Sequence, residues 1–270
     1  MKLLHICVIA VFLVTLAFFG HSVAGQLAAD KTVPVITMDS DIIRVSINAT
    51  DEDLLQGVTA YDEKDGDISS RLLVESISRF IEPGVSNITY AVCDNDNHVS
   101  SATRRVCYED YTPPRFTLRG PLVFSQSSVN ILNRIGAVDV FDGDISSKVI
   151  ITATDYDSQL NGTYQVSAKV SNSLGDTIYL TLPIFIDDIK ISAPAILLKN
   201  YIVYVKSNET FDIYSNISEV KDERENDLRD RLIIDSNYTP GKAGLYQVHY
   251  YVTDDENRQS HSLLLIVAED

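Results

Sequence analysis

Alternation of apolar and polar positions marks three long segments of the chain, each of which begins shortly after a glycine. The alternating segments span residues 86–93, 164–171 and 246–253. A period of two places one row of side chains on a packed face and the other in solvent, which is typical of antiparallel sheets. Polar turns follow at 94–97, 172–176 and 254–257, and closing strands at 102–107, 177–185 and 262–267. The pattern therefore predicts three β-hairpins.

An acidic cassette precedes each hairpin and makes the chain an internal repeat. The first two copies, 60–71 and 137–148, share the run Asp-Gly-Asp-Ile-Ser, and the third copy, 222–231, is degraded. A basic residue follows the last Asp of each cassette by four positions, at Arg71, Lys148 and Arg231. Prolines recur at a spacing of 80 residues, at Pro34, Pro114 and Pro194. Such self-similarity predicts three like modules.

Helical signals are scarce beyond the N-terminus. The charged stretch 219–231 could form a helical turn, yet it aligns with the acidic loops of the other copies. Short strands with regular turn signals predict an all-β chain of tandem sandwiches. We assign one domain to residues 31–110, a second to 111–188 and a divergent third to 189–270. Short proline-stiffened junctions near 111–114 and 193–194 favour an extended rod.

Residues 3–19 form a nearly uncharged apolar segment behind Lys2. A lysine before an apolar run is the signature of export. The run is long for the core of a signal peptide and short for a spanning helix. Two alternatives follow: a signal peptide cleaved after Ala24, or a retained membrane anchor with its N-terminus inside and a short tether to residue 30. We favour the anchor, and either alternative places residues from 31 onward outside the cytoplasm.

The formal net charge of −16 argues against two classes of partner. Nucleic acid requires clustered Lys and Arg to displace counterions from phosphate. Electrostatic adhesion to anionic lipid requires the same basic residues. The acidity is otherwise typical of a well-solvated surface.

Cys93 and Cys107 are the two cysteines beyond the apolar segment. If the turn between their strands centres on residues 96–97, Cys93 faces Ser100, seven positions from Cys107. That separation is roughly 20 Å at the rise of a strand. A disulfide needs Cα atoms about 4.4–6.8 Å apart. We therefore expect free thiols.

The residues at 57–69, 83–84 and 88–97 resemble bacterial immunoglobulin-like domains, which carry Asp-Gly-Asp turns of this type. Such repeats occur in surface proteins and adhesins, and as accessory modules of secreted toxins and hydrolases. The resemblance covers 31–110 well, 111–188 fairly and 189–270 loosely. It implies three tandem immunoglobulin-like β-sandwich domains after an N-terminal apolar helix. The third copy lacks a glycine at position 226, so its turn is expected to differ.

The acidic turns are the candidate metal sites. Each of the first two cassettes carries three closely spaced aspartates: Asp62, Asp65 and Asp67, then Asp139, Asp142 and Asp144. Calcium binds six to eight oxygens, so calcium is the candidate ion. The alternative is that Asp and Gly form the turn while Arg71, Lys148 or Arg231 neutralises one carboxylate. We favour the turn-forming role and expect no other cofactor.

Catalytic signals are weak. His98, His249 and His261 have no ligand-spaced neighbour, and His249 is expected on a solvent-exposed strand face. The chain has no nucleophile elbow, zinc-binding helix motif or phosphate loop. We therefore expect a non-catalytic extracytoplasmic stalk, adhesion or interaction module whose partner is a surface polymer, a carbohydrate or a protein. The alternatives are a calcium-dependent carbohydrate- or protein-binding module and an accessory subunit of an extracellular enzyme complex.

Overall fold

The computed structural model describes residues 2–28, 31–126, 128–157, 160–187 and 192–270, with side chains of the first helix described over 8–23. The chain forms two compact units, Met1–Asp110 and Tyr111–Asp270.

The first unit begins with helix α1 (Lys2–Ala28), whose residues 8–22 are exposed. Among the residues that the structure describes, no helix is long and apolar enough to cross a membrane. The membrane anchor predicted at residues 3–19 is therefore not supported. Residues 29 and 30 of the predicted tether lie outside the described residues.

The rest of the first unit is a β-sandwich. Its elements in chain order are β1 (Val35–Met38), β2 (Ile42–Val45), α2 (Asp51–Leu54), β3 (Val58–Asp62), β4 (Gly66–Asp67), β5 (Leu73–Ile77), β6 (Val85–Cys93) and β7 (Val99–Tyr108). One sheet has the order β1-β3-β4 and the other β2-β7-β6-β5. Strand β2 runs parallel to β7, whereas the other pairs are antiparallel.

The second unit contains two further sandwiches. The strands of the first are β8 (Arg115–Leu118), β9 (Val123–Ser125), β10 (Ile135–Asp139), β11 (Gly143–Asp144), β12 (Ile150–Thr154), β13 (Gly162–Ser171) and β14 (Thr177–Asp187). The strands of the second are β15 (Ala195–Leu198), β16 (Ile202–Lys206), β17 (Ile217–Lys221), β18 (Ile233–Ser236), β19 (Gly244–Thr253) and β20 (Gln259–Glu269). Single turns of 3₁₀ helix form the ends of the three cassettes, at Ser69–Arg71, Ser146–Lys148 and Arg229–Arg231.

The sheet orders repeat in all three sandwiches. The four-stranded sheets are β12-β13-β14-β9 and β16-β20-β19-β18, each with a parallel edge pair like that of the first unit. The smaller sheets are β11-β10-β8 and β15-β17, and in the last one the missing strand is reduced to a bridge between Lys221 and Asp227. The predicted all-β class, three tandem immunoglobulin-like sandwiches after an N-terminal helix, is confirmed. The domain boundaries stay predictions.

Each core is filled by the inward row of the alternating strands. In the first sandwich Ile88, Tyr90 and Val92 of β6 are almost fully buried. The Tyr90 hydroxyl donates to the backbone carbonyl of Leu54 at 2.7 Å, which satisfies the polar end of a buried ring. Tyr250 donates to the carbonyl of Ile213 at the same distance. The alternation thus positions the cassettes at the ends of well-packed sheets.

Strand β20 is packed on both faces, unlike β7 in the first unit. Leu264 and Ile266 belong to the core of the last sandwich. Leu263 and Leu265 pack instead into the core cluster of the preceding sandwich. The second and third sandwiches therefore share an apolar interface, whereas the sequence predicted that only a proline-stiffened junction joined them.

The two described cysteines are free, as predicted. Cys93 lies opposite Val99, eight positions before Cys107 on β7, so the predicted register is wrong by one residue. The hairpin turn contains an extra left-handed residue, Asn97 with φ of 69°, which shifts the pairing. The separation along the strand is still far beyond the reach of a disulfide.

Replacing Leu263 by Ala should lower the free energy of unfolding of the second unit by about 2–5 kcal/mol, because it leaves a cavity at the shared interface. Thr103 has the equivalent place on β7, where it is exposed. Thr103→Ala is the matched control and should change stability by under about 0.5 kcal/mol. Urea unfolding followed by circular dichroism measures both; equal effects would contradict the two-sided burial of β20.

Candidate functional site

The candidate site of each sandwich is the cassette loop (62–67, 139–144 and 222–227) beside the hairpin turn (94–98, 172–176 and 254–258). The first Asp of the cassette loop holds the loop by accepting backbone N–H groups. Asp62 Oδ2 accepts from the N–H groups of Lys64 and Asp65, at 2.9 and 3.0 Å. In the second copy, Asp139 Oδ1 accepts from the N–H groups of Phe141 and Asp142 at the same distances. Such Asx bonds are a turn-forming function of aspartate.

Glycine provides the backbone conformation that these loops need. Gly66 and Gly143 have φ of 78° and 69°, in the left-handed region that side chains other than Asn and Asp rarely adopt. In the third copy the positive φ falls one residue earlier, on Glu225 with φ of 66°. The expected departure of the third turn is therefore found. Its first residue, Asp222, accepts from the N–H of Asn226 at 2.8 Å and keeps the loop closed.

The last Asp of each cassette loop caps the 3₁₀ turn that follows. One carboxylate oxygen accepts the backbone N–H two residues on, and this bond of 2.9 Å is present in all three copies: Asp67 with Ser69, Asp144 with Ser146, and Asp227 with Arg229. Hydrogen bonds from the hydroxyl and the N–H of Ser69 lower the pKa of Asp67, and those of Ser146 act likewise on Asp144. These carboxylates therefore serve as caps.

The middle Asp connects the cassette loop to the hairpin turn. Asp65 accepts from the backbone N–H and the side-chain amide of Asn95, each at 2.8 Å. Asp142 accepts from the N–H of Ser173 at 2.7 Å and from its hydroxyl at 2.6 Å. The cassette loop extends from one sheet and the hairpin turn from the other, so this residue links the two sheets at one end of the sandwich.

The basic residue of each cassette pairs with the same region, as the sequence suggested. Arg71 lies 3.5 Å from Asp65, and Lys148 lies 2.7 Å from Asp142. Arg231 instead lies 2.6 Å from Asp255, which occupies the hairpin-turn position of Asn95 and Ser173.

The third copy therefore retains the ion pair, but its carboxylate lies in the hairpin turn and not in the cassette loop. Arg71, Lys148 and Arg231 are each about 40–46% exposed. Such exposed pairs contribute under about 1 kcal/mol. Their main effect is to fix the geometry of the two loops.

The first and third hairpin turns each contain a buried carboxylate, Asp94 and Asp254. Asp94 Oδ1 accepts the backbone N–H groups of Asp96 and His98, and its other oxygen lies 2.7 Å from Nδ1 of His98. Burial alone would raise the pKa of Asp94, but the hydrogen bonds and charge of His98 lower it. Asp254 is held in the same way by Arg258, whose Nε lies 2.6 Å from it. Both acids are structural parts of their turns.

One buried carboxylate oxygen has no partner among the described residues. Asp62 is 1% exposed, and its Oδ1 makes no hydrogen bond. The equivalent residue of the second sandwich, Asp139, accepts from the side-chain amide of Asn172 at 3.1 Å. The first sandwich has Asp94 where the second has Asn172. Since a carboxylate has no amide N–H to donate, Asp62 lacks the bond that Asp139 makes.

The first two cassette loops direct the oxygens of their predicted ligand residues to different backbone and side-chain donors. Within the described ranges, no group of three or more His, Cys, Asp or Glu residues could hold a metal ion. The assignment of calcium to Asp62, Asp65, Asp67, Asp139, Asp142 and Asp144 stays a prediction. The turn-forming role, in contrast, is visible in the bonds described above.

The sequence did not reveal a chain of ionisable groups in the second unit. His261 Nδ1 lies 2.8 Å from a carboxylate oxygen of Asp187, and its Nε2 lies 2.9 Å from Nδ1 of His249. His249, expected on an exposed face, is covered instead by Phe185, with ring centroids 4.9 Å apart. The unbroken apolar run 263–267 was the available signal, because it indicates a strand buried on both faces.

An open groove of about 490 Å³ lies on the second unit beside the shared interface. Its lining includes Pro114, Tyr179, Tyr204 and Glu269. Tyr179 is 70% exposed, the largest exposed fraction among the tyrosines of the described chain. The groove therefore combines concave apolar surface with an accessible aromatic ring.

Comparison with known proteins finds only distant similarity. No family model matches the chain. The pesticidal crystal protein Cry22Aa of Bacillus thuringiensis is 29% identical over 122 residues, which are 44% of this chain and 16% of that protein. The chain thus spans less than a fifth of the length of this relative.

Solved structures with similar strand arrangements include two kinds of protein. Drosophila N-cadherin EC1-3 is 14% identical over 90% of each chain, with a TM-score of 0.32. The M60 catalytic domain of Clostridium perfringens ZmpB with its CBM51-1 and CBM51-2 domains is 14% identical, over 88% of this chain and 31% of that one, with a TM-score of 0.25. Scores this low carry no argument about function.

Asp142→Ala should destabilise the second unit by about 1–2 kcal/mol, because it leaves the N–H and hydroxyl of Ser173 without their acceptor. Ser173→Ala, which removes only the hydroxyl bond, is the matched control and should cost less. Urea unfolding at pH 7 measures both. Equal stability of Asp142→Ala and the parent chain would contradict the proposed link between the sheets.

The stability of the second unit should also depend on pH through Asp142. Hydrogen bonds from the side chains of Lys148 and then Ser173 lower the pKa of Asp142 in the folded state. The stabilisation is therefore present above about pH 3.8 and is lost as the pH falls through the lower folded value. Asp142→Asn should lose less stability than the parent chain between pH 4 and pH 2. An identical acid profile of the two proteins would contradict this assignment.

Calcium at millimolar concentration should leave the thermal midpoint of the full chain unchanged, because the cassette carboxylates already accept internal hydrogen bonds. Differential scanning calorimetry with calcium, with magnesium and with chelator gives the comparison. A rise with calcium alone would support the ligand role instead, since binding to the native state raises stability.

Proposed function

We propose that the chain is a non-catalytic, extracytoplasmic module that spaces and presents an interaction surface, in the manner of a stalk or adhesion protein. The observation that supports this most is the use of the cassette acids: they accept hydrogen bonds from their own loops and from the neighbouring turn. The acidic residues that could have served a reaction thus have a structural explanation.

The location outside the cytoplasm is supported by the N-terminal sequence. Lys2 precedes the apolar residues 3–19, which is the pattern of an export signal. The partial match to Cry22Aa is compatible with a module that also occurs within larger bacterial proteins. An accessory role beside a secreted toxin or enzyme is therefore the alternative within the same class.

The groove beside Tyr179 is the proposed interaction surface. Its volume of about 490 Å³ is within the range of ligand-binding clefts. Tyrosine supplies a large apolar face with a polar end, which is why it is enriched where proteins bind partners. A surface polymer, a carbohydrate or a protein segment could be bound there without any reactive group.

A calcium-dependent binding module is the second candidate, and one observation favours it. The buried Oδ1 of Asp62 has no partner within the described residues, so a cation in the first sandwich would satisfy it. This candidate predicts binding that is lost on chelation, whereas the interaction surface at Tyr179 predicts binding that is insensitive to chelation.

Binding of the purified full chain to a glycan array and to isolated bacterial cell-envelope polymer distinguishes these functions. Tyr179→Ala should weaken binding about tenfold or more, as expected for an aromatic anchor. Tyr61→Ala is the matched control, since Tyr61 is a 59% exposed tyrosine of the first unit. Binding abolished by chelator but unaffected by Tyr179→Ala would favour the calcium-dependent module, and release of cleaved polymer would contradict the non-catalytic proposal.

A further inference from the structure

Three ionisable side chains form a hydrogen-bonded chain where the second and third sandwiches meet. Asp187 is the last residue of β14, whereas His249 and His261 lie on the adjacent strands β19 and β20. The carboxylate of Asp187 lies 2.8 Å from Nδ1 of His261. Nε2 of His261 lies 2.9 Å from Nδ1 of His249. The chain therefore connects one sandwich to the sheet of the next.

Aromatic rings enclose the two imidazoles. Phe185 of β14 meets both rings nearly edge-on, with centroids 4.9 Å from His249 and 5.4 Å from His261. Tyr251 stacks on His261 at 4.5 Å with an interplanar angle of 20°. His261 is 8% exposed, so solvent screens its charge poorly.

Among the described residues, few other ionisable groups face the pair. Asp235 of β18 pairs with His249 across the sheet, and its charge and that of Asp187 favour protonation of His249. Tyr251 lies on the same strand as His249. Strand β9, which pairs with β14, contains only Val123, Phe124 and Ser125. Within the described part of the chain, the protonation of His249 is therefore set mainly by burial, by His261 and by the two carboxylates.

The two hydrogen bonds of the histidine pair are compatible with two neutral rings or with one extra proton on the pair. With both rings neutral, His261 donates from Nδ1 to Asp187 and His249 donates from Nδ1 to Nε2 of His261. With one extra proton, one of the two facing nitrogens still lacks hydrogen and accepts, so both bonds persist whichever ring carries the charge. With two extra protons, Nδ1 of His249 and Nε2 of His261 both carry hydrogen and face each other. That bond is lost, and two positive charges are adjacent.

We propose that Asp187, His261 and His249 form an acid-sensitive clasp that holds the end of β14 against the sheet of the third sandwich and opens when the pair takes up its second proton. The clasp acts whatever partner the chain binds, so it is independent of the function proposed above. Its effect is to loosen the shared interface in acid while each sandwich stays folded.

The direction of the pH response follows from the environment of His249. Burial and then the neighbouring His261 lower the pKa of His249. An opened clasp exposes the ring and therefore binds more protons than the closed one. The closed state is thus favoured above the ordinary histidine pKa of about 6.5 and loses stability as the pH falls below it.

Hydrogen–deuterium exchange of the full chain at pH 7.5 and pH 5.0, corrected for the intrinsic pH dependence, tests the clasp. Peptides that cover the end of β14 and the middle of β20 should exchange about tenfold faster at pH 5.0, whereas peptides from β6 should not change. His249→Gln should abolish the acid response, since its amide can either donate to His261 or accept from it. His98→Gln, a histidine variant of the first unit, is the matched control and should retain the response.

Two results would overturn the clasp: equal corrected exchange of β14 and β20 at both pH values, or an acid response that persists in His249→Gln. If His249→Gln fails to fold, NMR titration of the imidazole carbons in the parent chain decides. The clasp predicts two coupled protonation steps, of which the second opens the clasp. Independent titration of both rings near the ordinary histidine value would contradict it.

Discussion

The hydrogen bond from a backbone N–H to an aspartate side chain is the interaction on which the ends of the sandwiches depend. Backbone N–H groups in tight loops have no ladder partner, and leaving them unpaired is costly. Asp62, Asp67 and Asp94 accept such groups within their own loops. Asp65 accepts the N–H of Asn95 from the opposite sheet. The acidic composition of the turns is therefore first a means of closing the fold.

Comparison of the copies shows which features the fold requires and which it can relocate. The cap by the last Asp is identical in all three copies, including the degraded one. The ion pair survives in the third copy only because Asp255 of the hairpin turn replaces the carboxylate of the cassette loop. The environment of the first Asp of the cassette loop differs between the first two copies: Asp139 has a buried amide partner, whereas one oxygen of Asp62 has none among the described residues.

Local sequence pattern predicted the features that depend on neighbouring residues. The alternation of apolar and polar residues predicted the three hairpins, and the Asp-Gly pairs predicted the cassette turns. The short helix α2 was missed although its signal was present: Thr50 and Asp53 form a reciprocal capping box. The register at Cys93 was wrong by one residue because Asn97 adopts a left-handed conformation, which the pattern of polarity does not show. Calcium binding and the absence of catalysis stay predictions.

Features that depend on distant residues could not be predicted in the same way. The run 263–267 indicates burial on both faces, but only the fold shows that the preceding sandwich covers Leu263 and Leu265. The packing of the second sandwich on the third also places Phe185 against His249 and Asp187 within hydrogen-bond distance of His261. The histidine chain is thus a consequence of tertiary packing, and no spacing in the sequence encodes it.

Amide hydrogen exchange of individual turn residues, measured by NMR in the presence of chelator, tests the central claim most directly. The N–H groups of Asp65, Ser69 and Asn95 should be protected without any added cation, and calcium should not change their exchange rates. Exchange at the rate of an unstructured peptide in chelator, with protection restored by calcium, would contradict the account and show that the acidic turns are closed by an ion.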